Sequence, residues 1–221
     1  SSAVWEATRD DDGRVVALKV LRQELLDSPE RRARLQREYA LLTRLQHRGV
    51  ARVYTILPDT PHGPVLEMQR VYGRPLSAVV HEAPMRPADA TRLCVELLNA
   101  LAAVHAAKVV HRDLKPENIL VQADGAPCIV DFGIAQNAQG ERLTGTLDRL
   151  GSQGFAAPEQ HRGDKVSGQA DLYAVGKLLV WMCAGRHDAE GLARLPGALQ
   201  RVVRRATQAR PADRHPDAAA L

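Results

Sequence analysis

The run His111-Arg112-Asp113-Leu114-Lys115-Pro116-Glu117-Asn118 places two carboxylates, an amide and a lysine within eight residues, and Asp131-Phe132-Gly133 follows a short apolar stretch. This set suits phosphoryl transfer. That chemistry needs oxygen ligands for a metal on the polyphosphate, a cation on the phosphates, and a group that orients the attacking hydroxyl. Asp131 offers a hard carboxylate oxygen, and Gly133 permits a sharp turn behind it. Asn118 adds a neutral oxygen, so the site is not so anionic that it would hold Mg²⁺ without substrate. Asp113, five residues before Asn118 on the same loop, suits a catalytic base or orienting group. Lys115 lies two residues on, within reach of a transferring phosphate. Lys19 is a second cation, set in the strand-like run Val16-Ala17-Leu18-Lys19, an odd place for a surface lysine.

These residues need a framework. Val4–Thr8 and Arg14–Leu21 read as β-prone runs joined by the polar, Gly-containing turn Arg9–Gly13. Ser28-Pro29 starts a helix whose apolar face over Arg31–Leu45 is Leu35, Tyr39, Leu42 and Leu45. Val50–Leu57 and Pro64–Val71 read as further strands. Helices are expected over Ala88–Ala107, Asp171–Ala184 and Leu199–Ala209, with short strands at Ile119–Val121 and Cys128–Val130. A β-rich small lobe with one helix therefore leads into an α-rich large lobe, the crossing falling near Gln69–Gly73.

Val16-Ala17-Leu18-Lys19, the His111–Asn118 run, Asp131-Phe132-Gly133 and Ala157-Pro158-Glu159 occur in one order along nearly the whole chain. At these motifs the sequence resembles the protein kinases, most closely the eukaryotic-like Ser/Thr kinases of bacteria. The resemblance implies a two-lobed α+β fold, with an N-lobe over 1–68, a hinge over 69–73 and a C-lobe over 74–221. It implies ATP and Mg²⁺ as cofactors, with Asn118 and Asp131 as metal ligands, and Asp113 and Lys115 as catalytic residues. Lys19 would contact the α- and β-phosphates and pair with Glu38. Val4 and Ala17 would roof the adenine, Leu120 would floor it, and Gln69-Arg70-Val71 would form the hinge just after Met68.

The resemblance also assigns supporting parts. His111, Phe132, Leu42 and Val53 match an apolar stack that links the lobes. Glu159 and Arg214 match a buried ion pair, and Asp171 matches the residue that braces the catalytic loop. Ser152 stands where the family usually has a Thr contacting Asp113 and Lys115; with Lys115 it points to protein substrates with Ser or Thr acceptors. Arg112 is the feature by which related kinases read a loop phosphate. The 29-residue segment 131–159 is thus expected to act as an activation loop modified at Thr144 or Thr146, with self-association for trans-autophosphorylation.

The pattern departs from the family at the start. Ser2 stands where the third glycine of the phosphate-covering loop would fall, so the N-terminal edge and Gly-rich loop are expected to be incomplete. The segment from Gly185 to Leu199 is compact, which bears on substrate docking. Two rival readings remain: a pseudokinase scaffold, and a small-molecule kinase of the aminoglycoside or choline type. Lys115-Pro116-Glu117 and Ala157-Pro158-Glu159 argue against the second.

Composition bounds the rest. A net charge of +4 over 221 residues, with aromatics at 4%, argues against a nucleic-acid partner. No apolar run is long enough to span a bilayer, and Ser1–Trp5 is not a signal sequence. Cys94, Cys128 and Cys183 form no CxxC pair, so a reducing compartment, the cytoplasm, is expected and the thiols read as small buried hydrophobes.

Overall fold

Strand register decides which side chains of the N-terminal third face the cleft. A computed structural model describes residues 3–21, 28–58, 60–61, 63–132 and 154–221, without the side chains of residues 31, 32, 34, 35 and 38. Strands β1 (Val4–Thr8), β2 (Val15–Val20), β3 (Val53–Leu57) and β4 (Val65–Gln69) form an antiparallel sheet in the order β1-β2-β4-β3. The β1–β2 turn closes because Gly13 takes φ +69 and the Asp12 carboxylate accepts the Arg14 N–H at 3.0 Å. Val4 pairs directly with Lys19, and Ala17 lies two residues before Lys19, so all three share one face.

Helix α1 (Pro29–Leu42) lies between β2 and β3 in the chain. It stops one turn short of the expected Leu45, which reaches the core from a turn whose N–H bonds the Leu42 carbonyl. The expected strand over 50–57 also divides. Val50 forms an isolated parallel bridge with Ile129, and Ala51 donates to the Ile129 carbonyl at 2.8 Å. Regular pairing with β4 begins only at Val53. Gln69 seals the break: its side-chain oxygen accepts the Arg52 N–H, and its own N–H donates to the Arg52 carbonyl at 2.7 Å.

Beyond β4 the chain passes Gly73, where a Cβ would stand 2.8 Å from the Val121 carbonyl oxygen. Only glycine allows that approach. Strand β5 (Arg74–Pro75) then pairs with β6 (Ile119–Val121), which pairs with β7 (Pro127–Ile129). Neither β5 nor the following α2 (Leu76–Glu82) is among the elements expected from the sequence, because a two-residue strand and a seven-residue helix carry too little periodicity.

Helix α3 (Pro87–Ala106) begins with Pro at its first position and buries Leu93, Leu97, Leu101 and Val104, spaced three and four apart. It packs on α5 (Gly168–Ala184), which is apolar nearly all round and buries Leu172, Val175, Leu178 and Met182. Each such side chain contributes about 1.5–3 kcal/mol on full burial, so this pair is the rigid base of the C-terminal lobe. Around it lie α4 (Pro158–Arg162), α6 (Ala189–Ala193) and α7 (Gly197–Ala206). Cys94 is buried in this interior and Cys128, on β7, in a separate small cluster, and burial pushes both thiols up, Cys128 to about 11. They pack as hydrophobes. Among the described residues, no helix is long and apolar enough to cross a membrane.

Candidate active site

The loop between α3 and the 3₁₀ turn Pro116–Asn118 is held by one carboxylate. Asp171, in the first turn of α5 and 1% exposed, accepts the His111 N–H on Oδ2 and the Arg112 N–H on Oδ1, both at 2.9 Å. His105, in the last turn of α3, meets Oδ2 at 2.8 Å. A carboxylate this deep is stable only when its lone pairs are so occupied. Its grip matters because Arg112 has φ +68, a left-handed conformation that costs a non-glycine residue about 1 kcal/mol or more. The carbonyl of Arg112 is held from the other side by Gln160 Nε2 at 2.6 Å.

That turn delivers Asp113 and Lys115 together. Lys115 Nζ lies 2.9 Å from Asp113 Oδ2. Asn118 Nδ2 donates to the Asp113 carbonyl at 2.8 Å and to Oδ2 at 3.1 Å. Among the described residues both side-chain contacts fall on Oδ2, which leaves Oδ1 as the oxygen that can meet a hydroxyl. Among the described residues both side-chain bonds of Asn118 use its nitrogen, and its side-chain oxygen is the atom that could meet a cation.

Asp131 follows β7 with φ +59, and Lys19 Nζ contacts its Oδ1 across the cleft. Lys19 is 7% exposed, so its charge is paired inside the molecule. His111 is fully buried; burial pushes its imidazole down, and the neighbouring Asp171 and Asp113 only partly oppose that. The neutral ring bonds the Val130 carbonyl through Nε2 at 3.3 Å and packs on Phe132 with centroids 4.9 Å apart. Phe132, Leu42 and Val53 belong to one buried cluster running from the β1–β4 sheet into the helical lobe.

The helical lobe has its own anchor. Arg214 makes two parallel bonds to Glu159, at 2.6 and 2.7 Å, and further bonds to the Gln208 and Gln169 carbonyls.

A family model described as "Protein kinase domain" matches residues 1–205 of the chain. The chain belongs to this family. It is 34% identical to a probable serine/threonine-protein kinase PknB of Corynebacterium glutamicum, over 91% of this chain and 32% of that protein. It is 35% identical to PknB of Mycobacterium tuberculosis, over 86% of this chain and 31% of that protein. With PknD of Mycobacterium tuberculosis the identity is 38% over 80% of this chain and 26% of that protein. The chain spans about a third or less of the length of these curated relatives. A crystal structure of Rad53 in complex with AMP-PNP superposes with a TM-score of 0.78 at 22% identity, covering 99% of this chain and 60% of that one. The fold is the two-lobed protein kinase fold.

Within this kinase domain, Ala17 is buried, whereas Val4 on the outer strand is 58% exposed. Leu120 packs against a small apolar cluster of Val71, Ala51 and Cys128, so the residues expected as floor and hinge share one cluster. The Gln69 side chain and N–H are occupied by Arg52, so any hinge role of Gln69 rests on its main-chain carbonyl. Glu38 lies on α1, but its side chain is outside the described residues, as are Gly133, Thr144, Thr146 and Ser152. Two contributors escaped sequence reading, His105 and Gln160. Their partners lie 66 and 48 residues away, and no local spacing points to either.

Proposed function

We propose that this kinase domain transfers the γ-phosphoryl group of ATP to Ser or Thr hydroxyls of protein substrates. The observation that carries the reading is the convergence of Asp113, Lys115 and Asn118 on one clamped loop, together with the contact of Lys19 with Asp131. The acceptor oxygen attacks the γ-phosphorus, its proton passes to Asp113 Oδ1, and ADP leaves. Lys115 holds the transferring phosphoryl oxygens beside Asp113, and Lys19 holds the α- and β-phosphates. Val4 and Ala17 roof the adenine, Leu120 lies beneath it, and Gln69 and Val71 read its edge through the main chain. The division into an N-lobe over 1–68 and a C-lobe over 74–221 follows the sheet and helices on either side of Gly73.

The residues present fit Mg²⁺. Asp131 and Asn118 offer two hard oxygen donors, the sparse protein set that this ion takes when phosphates complete its shell. When bound, the ion supplies neutralisation of the phosphate oxygens. Among the described residues, no cluster of three or more His, Cys, Asp or Glu could hold a metal. Glu38 is the partner we assign to Lys19 when nucleotide is bound, and Ser152 the hydroxyl that orders Asp113 and Lys115. Phosphorylation of Thr144 or Thr146, delivered by a second copy, would be read by Arg112; an active preparation carrying neither modification would refute it. The family's chemistry and the free cysteines support placement in the cytoplasm.

The test is phosphate transfer from radiolabelled ATP to the chain itself and to casein, comparing the parent with Asp113→Asn. We expect the variant to lose at least about 100-fold in turnover, with the label on Ser or Thr. Equal, negligible turnover in both would make the domain a scaffold. Transfer to an aminoglycoside or choline but to no protein would make it a small-molecule kinase.

A further inference from the structure

We propose that Gln160 is a positioning residue for phosphoryl transfer, fixing Asp113 through the peptide unit that precedes it. The carbonyl that Gln160 holds at 2.6 Å is that of Arg112, so it belongs to the peptide joining Arg112 to Asp113. Arg112 sits at φ +68, and its two main-chain groups are held from separate elements: its N–H by Asp171 of α5, its carbonyl by Gln160 of α4. A left-handed residue gripped on only one side can relax toward ordinary geometry, and the relaxation rotates the next residue.

The Gln160 amide is oriented without ambiguity. Its nitrogen faces a carbonyl, which only accepts, and its oxygen takes the Ala157 N–H at 2.9 Å, which only donates. Turning the amide over would lose both bonds. Its own footing is firm, because the preceding residue, Glu159, is locked to buried Arg214. The catalytic loop is thereby tied through one side chain to the anchor of the helical lobe.

The inference rests on Asp113 being the catalytic carboxylate, and the experiment separates the two. Steady-state transfer would be measured on the full chain for Gln160→Glu, Gln160→Ala and Asp113→Asn, with a thermal melt of each. Ionised Glu at 160 keeps the acceptor for the Ala157 N–H but cannot donate to the Arg112 carbonyl, so it isolates the contact in question. For Gln160→Glu we expect kcat to fall by about 10- to 100-fold with KM for ATP within about 2-fold and the melt nearly unchanged. Gln160→Ala should lose as much kcat and also some thermal stability. Parental kcat in Gln160→Glu, with Asp113→Asn inactive, overturns the inference alone. A joint collapse of kcat, ATP affinity and melting temperature in Gln160→Glu overturns it too, since that is loss of structure. Full turnover in Asp113→Asn overturns the catalytic reading and the inference together.

Discussion

Among its described residues the kinase domain carries two buried cations paired with carboxylates, Arg214 and Lys19, and they are built differently. Arg214 is fully buried, meets Glu159 through two parallel bonds, bonds nearby carbonyls, and lies over the Tyr173 ring at 5.0 Å. Lys19 presents a single ammonium to one oxygen of Asp131, whose side chain is 36% exposed. The planar guanidinium is locked in a fixed geometry; the ammonium is a point charge that can exchange one anion for another. The first pair maintains the lobe. The second joins the groups on which nucleotide phosphate and metal converge.

Breaking the first pair should have the largest effect. Arg214→Ala leaves the Glu159 carboxylate buried without its partner, and we expect about 3–5 kcal/mol of destabilisation by denaturant unfolding. Removing both charges, as Arg214→Met with Glu159→Leu, should cost less, because no charge is stranded. If the double variant is the less stable, the anchor works through geometry that apolar packing cannot replace.

Breaking the second pair should leave the fold and remove the chemistry. Lys19→Met frees Asp131, but that carboxylate already reaches water, so the expected change in stability is under about 1 kcal/mol. Phosphate transfer should fall by at least about 100-fold with KM for ATP raised. Unfolding and transfer measured on one preparation check both halves. A large stability loss with transfer preserved would reverse the roles assigned to the two pairs.

The same contrast explains what the sequence made legible. Asp113, Lys115 and Asn118 could be found because their chemistry demands particular residue types at short separations, and Lys19 and Asp131, which lie 112 residues apart, through the motifs around them; the structure brings each of the two sets into contact. The helices α3 and α5 were found because they are long segments rich in Ala, Leu and other apolar residues, unbroken by Pro inside their spans. The hydrogen bonds that hold the loop were not legible. His105 and Gln160 are ordinary polar residues whose meaning comes from a carboxylate and a carbonyl far off in the chain. Val50 was misread for a related reason: its side chain suits a strand, but its neighbours' hydrogen bonds turn toward Ile129 and away from β4. Pattern reports burial and propensity; it does not report which distant backbone group a segment will meet.

A milder effect separates the loop's inner wall from its outer face. Burial lowers the His111 pKa below its ordinary value of 6.5, so the folded protein holds this imidazole neutral. Above that value the ring is neutral in the folded and unfolded states alike, and its contribution does not vary with pH. Below it the unfolded chain takes up a proton that the folded one refuses, so stability falls as pH falls, by at most about 1.4 kcal/mol per unit. The decline ends only once pH passes below the depressed folded value. His187, lowered by burial and by nearby Lys177, adds a slope of the same sign, so the informative quantity is the difference between the parent and His111→Phe. Phenylalanine keeps a ring against Phe132 but gives up the bond to the Val130 carbonyl and the longer one in which Nδ1 accepts the Asp113 N–H, together about 1–2 kcal/mol at every pH. Thermal melts from pH about 7.5 down to about 5 should therefore show the variant less stable at the top of the range and the two curves converging toward the bottom. Parallel curves would mean that the proton is taken up elsewhere, and that the wall behind Asp113 contributes nothing to the acid sensitivity of the fold.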